Sequence, residues 1–332
     1  MNAAVFRNSG GGLLVGKGPF ESLSGPPEKG VAFYRNDFSL SCSRPWHVPS
    51  RIEILEEGET PDFLREEHPE ILWEEPEVEP FAEVFAEVSQ AIRGGSIEKS
   101  VPVVTAIGQI CKGSCKELGS ALARGNGPLR PYGWIDGVEG VVGLSPELLF
   151  GLNGGVLHTM ALAGTARVEE REAFGADEKE IREHEFVAQT LLAKLSDLGQ
   201  TNRHSRDIME LGPLVHYHSG VDVELRKKES INRLVSLLHP TPALGPLPRT
   251  AETLGDLVSW RHRLGCPRWF GAPFGLFRDG VFEVLVGIRM IRWQGSQVEV
   301  PSGCGVIEES RLVNEWRELR LKRESVRSIF GV

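Results

Sequence analysis

With 332 residues, 40% hydrophobic and 25% charged, the chain has ordinary globular composition and enough length for one large domain or two small ones. A net charge of −9 argues against nonspecific nucleic-acid binding and against a polybasic membrane surface, and there is no apolar run of the roughly 18 residues that a spanning helix needs. The first residues, Met1 to Asn8, lack the basic start and apolar stretch of a signal peptide, so the expectation is a soluble, cytoplasmic protein acting on a small substrate.

Residues 1–55 hold short β-like runs, such as Gly12 to Val15 and Val31 to Tyr34, broken by Gly, Pro and Ser; they are read as an N-terminal strand layer of the same domain. From Arg51 to Pro80 twelve acidic residues stand against two basic ones, and residues 56–80 are assigned to an acidic linker or solvated excursion. The functional region is 81–332. It opens with a predicted helix, because Phe81, Val84, Phe85, Val88 and Ile92 share one face and Gly94-Gly95 stops it. β-rich runs follow at Ile97 to Ile107, Val156 to Leu162 and Val281 to Trp293. Between them, Asp177 to Leu198 carries Ile181, Val187, Leu191, Leu192 and Leu195 at helical spacing and closes at Gly199; Ser310 to Ile329 is the last predicted helix. Without a regular βαβ rhythm, the mixture points to an α+β fold. No dinucleotide fingerprint or Walker loop accompanies the 38 glycines. The five cysteines are scattered, and Cys111 and Cys115 lack the further Cys/His pair that a zinc site needs, so reduced structural thiols are expected.

Two predicted helices present carboxylates in pairs. Glu180 and Glu183 lie three apart on one, Glu315 and Glu318 three apart on the other, so each pair occupies one helical face. Four converging carboxylates without histidine or thiolate suit a hard cation such as Mg²⁺, which keeps waters and borrows an anionic substrate as ligand. By themselves, paired glutamates on a helix are usually solvated surface charges.

Their company is more specific. Gly143 to Phe150, Ala161 to Arg167, Lys179 to His184, Leu238 to Leu244, Gly287 to Arg289, Gly303 to Ile307, and the run Glu315, Glu318, Lys322 stand in one order along the chain. These blocks resemble, in content and order, the signature segments of the chorismate-utilising enzymes. The resemblance implies two packed, mostly antiparallel sheets flanked by helices, with the active site in a cleft at one end and 81–332 as the chorismate-binding catalytic region. It also implies roles. Glu183 and Glu318 are the expected principal Mg²⁺ ligands, with Glu180 and Glu315 in support. Arg289 is expected to grip the pyruvyl carboxylate of chorismate, and Lys322 and the Gly303-Cys304-Gly305 backbone to lie near substrate carboxylates. An arginine fork on one carboxylate and a metal at the other suits a dianionic substrate.

Within the family, Lys99 matches the position of a lysine in members that deliver water to the ring, where members that deliver ammonia carry glutamine. Glu147 matches the general acid. Together they form the base and acid expected when water adds as hydroxide leaves. Ala163, in Leu162-Ala163-Gly164-Thr165, stands where aminodeoxychorismate synthases place an attacking lysine, which alanine cannot replace. His239 and the run to Ala243-Leu244 resemble the substrate-proximal block of isochorismate synthases. The expected reaction is therefore isomerisation of chorismate to isochorismate without an obligatory protein partner, its product feeding menaquinone, a catecholate siderophore or salicylate metabolism. Salicylate synthase, an anthranilate-type synthase with an amidotransferase partner, and a noncatalytic chorismate-binding module are the alternatives. Trp269-Phe270 departs from the family, because many relatives carry there a tyrosine that bonds the pyruvyl carboxylate; Val168 replaces a basic residue.

Overall fold

The first strand shows the rule that builds the molecule. In β1 (Asn2–Arg7), Ala4 and Phe6 enter one apolar core while Val5 enters another on the opposite face, as the two-residue period of a strand requires. The computed structural model describes residues 2–8, 11–61, 68–125 and 127–332.

The strands are β1, β2 (Leu13–Leu23), β3 (Val31–Arg35), β4 (Trp46–Leu55), β5 (Glu70–Glu74), β6 (Val103–Lys112), β7 (Arg130–Asp136), β8 (Glu139–Ser145) and β9 (Leu148–Asn153). They continue as β10 (Val156–Arg167), β11 (Gly199–Arg203), β12 (Asp207–Leu211), β13 (Leu214–Leu225), β14 (Pro273–Arg278), β15 (Val281–Val286), β16 (Met290–Gln294) and β17 (Gln297–Gly303). Every ladder among them is antiparallel. The first sheet runs β5-β6-β17-β16-β8-β7-β1-β2. The second runs β4-β3-β14-β15-β9-β10-β13, with β11 and β12 sharing the far edge of β13. β2 and β4 pair along most of their length across a register shift between Lys17 and Phe20. The two sheets are thus one hydrogen-bonded network folded back on itself.

Aromatic rings fill the space between the layers. Phe6 of β1 stacks on Phe274 of β14 with ring centres 6.2 Å apart, and Tyr132 of β7 meets the same ring at 5.5 Å. Burying each such side chain contributes roughly 1.5–3 kcal/mol, so this inter-sheet core outweighs any surface contact in holding the layers together.

Helices cover the outer faces: α1 (Val78–Arg93), α2 (Arg171–Phe174), α3 (Glu178–Ser196), α4 (Ile231–Leu238), α5 (Ala251–Arg263) and α6 (Leu312–Phe330). The buried face of α3 starts with Glu180, Glu183 and His184 and continues as Val187, Leu191 and Leu195. That of α6 starts with Glu315 and continues as Leu319, Val326 and Phe330. Each helix docks by its apolar turns, and docking carries the carboxylates of its first turns over the end of the sheets. Asp177 caps α3, accepting from the backbone N–H of Lys179 and Glu180, a contact of the kind that satisfies orphan donors at a helix start.

Several sequence expectations need adjustment. The acidic stretch 56–80 is not wholly a linker, since β5 within it pairs with β6; residues 62–67 of that stretch lie outside the described residues. The run Ile97 to Ile107 is not one strand. Lys99 and Ser100 make only isolated bridges, to Leu247 and Val306, and regular pairing starts at Val103, after Pro102, which has no N–H to donate. The run Val281 to Trp293 is broken into β15 and β16 around Gly287-Ile288-Arg289. All five cysteines are free thiols. Among the described residues, no helix is long and apolar enough to cross a membrane.

Candidate active site

A cavity of about 700 Å³ opens where the ends of the two sheets meet α3 and α6. Three local irregularities make its wall. The first is in β10, where the register against β13 shifts between Ala163 and Ala166 and Gly164 takes φ +76°, a conformation that strains a residue with a side chain, with a Cβ there standing a tight 3.2 Å from the Glu180 carbonyl oxygen. The second is the break between β15 and β16. There Arg289 holds φ 52°, a left-handed conformation that a non-glycine residue adopts at a cost and that concentrates at functional sites. The third is the end of β17, where Gly303 and Gly305 line the cavity. A methyl group on Gly305 would stand 2.2 Å from Glu183 Oε1, so glycine there is what admits the glutamate.

Glu147 stands on this wall, 3% exposed. Its Oε1 accepts a 2.8 Å hydrogen bond from the Thr241 hydroxyl. Burial pushes the carboxyl up to about 7, against the Thr241 bond and the charges of Lys99 and Lys322, which favour the ionised form. A carboxylic acid near neutrality can hold a proton and release it at working pH.

Arg289 is 8% exposed and also lines the cavity. Its guanidinium donates to Ser325 Oγ at 3.2 Å and meets His216 Nε2 at 3.0 Å. His216 Nδ1 lies 2.8 Å from the Gly164 carbonyl. Burial and the charge of Arg289 hold the imidazole pKa well below its ordinary value. The neutral ring therefore carries its proton on Nδ1, donates it to Gly164, and accepts from Arg289 through Nε2. Burial lowers the arginine to about 10, and its partners here are neutral, so the cation is left for an incoming anion.

Lys99 is fully buried, and its Nζ donates to Glu183 Oε1 at 2.9 Å. It does not itself line the cavity; Glu183 stands between. Burial opposes ionisation of Glu183, but the ammonium groups of Lys99 and Lys179 hold its pKa below the usual carboxylate value. Lys322 Nζ lies 2.6 Å from Glu318 Oε1 and donates to the Gly303 carbonyl at 3.0 Å.

The four glutamates straddle a boundary. Glu183 faces the main cavity, while Glu180, Glu315 and Glu318 line a neighbouring cleft of about 910 Å³ that shares Thr165 with it. Lys179 sits among them, 2.8 Å from Glu180 and 3.5 Å from Glu315. Glu180 accepts in addition from the Thr165 N–H at 2.8 Å. Burial and the charge of Glu183 push Glu180 up to about 7, and burial and Glu318 push Glu315 up to about 8. Burial works against the charged form of Lys179, yet Glu315, Glu183 and Glu180 raise its pKa. Glu315 Oε2 is buried with no hydrogen-bond partner. Among the described residues, no three His, Cys, Asp or Glu side chains already form a metal-holding group.

Of the sequence candidates, Glu147, Ala163, Gly164, Thr165, Glu183, Ala243, Leu244, Arg289, Gly303, Gly305 and Lys322 meet on the main cavity. Two do not. His239 turns away: its Nε2 lies 2.8 Å from the Phe38 carbonyl, and burial lowers its pKa to about 4, so the neutral ring donates there. Cys304 packs its side chain into the apolar cluster of α1 and α6 while its glycine neighbours face the cavity, as strand alternation demands. Sequence reasoning did not single out His216, Thr241 or Lys179. His216 lies in a β-like run with a second histidine, His218, and nothing local marks which one faces the site. At the atypical dipeptide, Phe270 lines the cavity with an apolar ring, and Trp269 lies outside it beneath Arg35.

Comparison with known proteins agrees with this architecture. The family profile described as "Chorismate binding enzyme" matches residues 47–331. Isochorismate synthase EntC of Escherichia coli K12 is 31% identical over 205 residues, covering 58% of this chain and 51% of that protein. Isochorismate synthase MenF of Bacillus subtilis 168 is 29% identical over 203 residues, covering 57% and 42%. The chain thus spans about half the length of the curated relatives it matches. The solved structure of MenF, the menaquinone-specific isochorismate synthase from Escherichia coli, superposes with a TM-score of 0.81 at 18% identity over 99% of this chain and 89% of that one, a likeness of fold. The chain belongs to the chorismate binding enzyme family.

Proposed function

We propose that the chain is an isochorismate synthase, isomerising chorismate to isochorismate with Mg²⁺. One observation carries the reading: a buried acid that titrates near neutrality, Glu147, shares a cavity with a buried arginine, Arg289, whose hydrogen-bond partners are neutral. Arg289 takes one substrate carboxylate, oriented by His216. Glu147 donates its proton to the departing ring hydroxyl, and water adds to the ring as that hydroxyl leaves. Lys99, once its contact with Glu183 opens and its ammonium has released a proton to solvent, is the neutral amine that accepts the proton the water loses. The acid and the base then exchange one proton each, and the product is an isomer of the substrate. Apolar Phe270 helps keep bulk water out of the cavity.

The donor set fits a hard divalent cation. Four carboxylates gather at the boundary, two are forced up in pKa, and one buried oxygen has no partner. Glu183 and Glu318 would hold it, with Glu180 and Glu315 in support and Lys179 withdrawing from between them. When bound, Mg²⁺ supplies neutralisation and orientation of the second substrate carboxylate. In this reading the protein works in the cytoplasm without an obligatory protein partner, and the isochorismate synthase names of its relatives support it.

The test is to incubate pure protein with chorismate and Mg²⁺ and identify the product by chromatography. Isochorismate is expected, and excess chelator should stop its formation. Fluorescent salicylate would replace this reading by salicylate synthase, and an aminated product formed only with ammonia by an anthranilate-type synthase.

A further inference from the structure

Behind the turn that carries Phe270 lies a second cavity, of about 550 Å³, whose wall includes Arg35, Trp134, Asp136, Glu139, Arg268 and Trp269. Its cations are held in an unusual way. The Arg35 guanidinium stands 3.9 Å from the ring centre of Trp269 and 4.8 Å from that of Trp134. Arg268 stands 4.4 Å from the same Trp269 ring. Stacking occupies the faces of a guanidinium and leaves its N–H donors free at the edge, where they match a planar oxyanion. Those donors are unused. Among the described residues the Arg35 side chain has no hydrogen-bond partner, its Nε is buried, and neither Arg35 nor Arg268 has a carboxylate at ion-pair distance.

A second observation concerns Trp134. It is 6% exposed, and its Nε1 is also buried without a partner. Of the other charged groups of the wall, Arg292 and Glu139 have partners, and among the described residues the Asp136 side chain has no hydrogen-bond or ion-pair partner. Arg292 pairs with Glu299 at 2.9 Å, and Glu139 accepts from Gln294 at 3.1 Å. Asp136 and Glu139 both favour the charged Arg35 from a distance, yet burial and the like charge of Arg268 still lower its pKa to about 10. Two cations thus share one indole and face open space, a repulsive arrangement that a bridging anion relieves. The two carboxylates oppose a large polyanion and confine a small one to the arginine side.

We propose that this cavity binds the oxyanion of a small molecule, a carboxylate or a phosphate, gripped edge-on by Arg35 and Arg268 and separate from the catalytic cavity. The two cavities are neighbours through the chain, because Trp269 stands in the wall of one and Phe270 in the wall of the other.

The protein has seven tryptophans, so indole N–H signals in ¹H–¹⁵N spectra report on the site directly once Trp134→Phe and Trp269→Phe have assigned two of them. Sodium acetate and sodium phosphate are titrated separately, with sodium chloride as the control for ionic strength. At least one of the two salts should shift both signals saturably, and the arm that responds identifies the source of the oxyanion. Arg268→Gln, at an exposed position, should weaken that binding by about tenfold or more, the effect of losing a charge-assisted bond. Arg35→Met should abolish it; if that variant fails to fold, Arg268→Gln decides. The proposal is overturned if neither salt moves the two signals beyond the chloride control, or if Arg268→Gln binds as tightly as the parent.

Discussion

Replacing Glu147 by Gln keeps the shape of the side chain and a hydrogen bond to Thr241 but removes the proton. Two consequences follow from its geometry. For catalysis, a positioned general acid contributes roughly 10²–10⁴-fold, so turnover should fall by that factor while chorismate still binds. For stability, the sign follows from proton counting. The unfolded carboxyl ionises near 4.5, whereas the folded one keeps its proton until about 7. Between those values the unfolded chain binds fewer protons, so folding stability declines as pH rises through this window and levels off above it. A difference of about 2.5 pKa units corresponds to about 3 kcal/mol at 1.36 kcal/mol per unit. Glu180 and Glu315 are raised as well and contribute slopes of the same sign, so the comparison between parent and variant isolates Glu147. Urea unfolding of metal-free protein between pH 4.5 and 8 measures it, with product formation followed by chromatography. The parent should lose about 3 kcal/mol more than Glu147→Gln across the range. A variant within about threefold of parental turnover refutes the acid role, given what such a group ordinarily contributes. Parallel stability curves refute the raised pKa.

Four further outcomes are expected. Thr241→Val removes the hydrogen bond that favours ionised Glu147, so the alkaline limb of the kcat/KM profile should move to higher pH; a downward shift contradicts the contact. Lys99→Gln should collapse water addition while chorismate still binds, and production of isochorismate at the parental rate would rule out Lys99 as the base. Arg289→Met should lower kcat/KM by roughly 10–100-fold, the worth of one or two charge-assisted hydrogen bonds, and an unchanged value removes it from substrate binding. Glu318→Ala should abolish turnover with the far-ultraviolet circular dichroism unchanged, because a hard cation loses an anionic ligand; full activity would sink the metal assignment.

Helical periodicity is local, and what it governs was legible in the sequence. Glu180 and Glu183 on α3, and Glu315 and Glu318 on α6, could be assigned to shared faces without coordinates, as could the apolar turns that dock those helices. The resemblance of Gly143 to Phe150 and of the later blocks to a known family then pointed to Glu147 and Arg289. Tertiary structure decided what depends on meetings between distant segments. Lys99 reaches Glu183 across 84 residues of chain. His216 reaches Arg289 across 73, and Thr241 reaches Glu147 across 94. Such pairings depend on strand register and on how the folded sheet closes, which no local spacing encodes. The same reason explains the two misplaced side chains. His239 belongs to a block that borders the cavity, yet packing against Phe38 turned its ring away. Cys304 sits between two cavity-facing glycines, and alternation along the strand sent it to the other side.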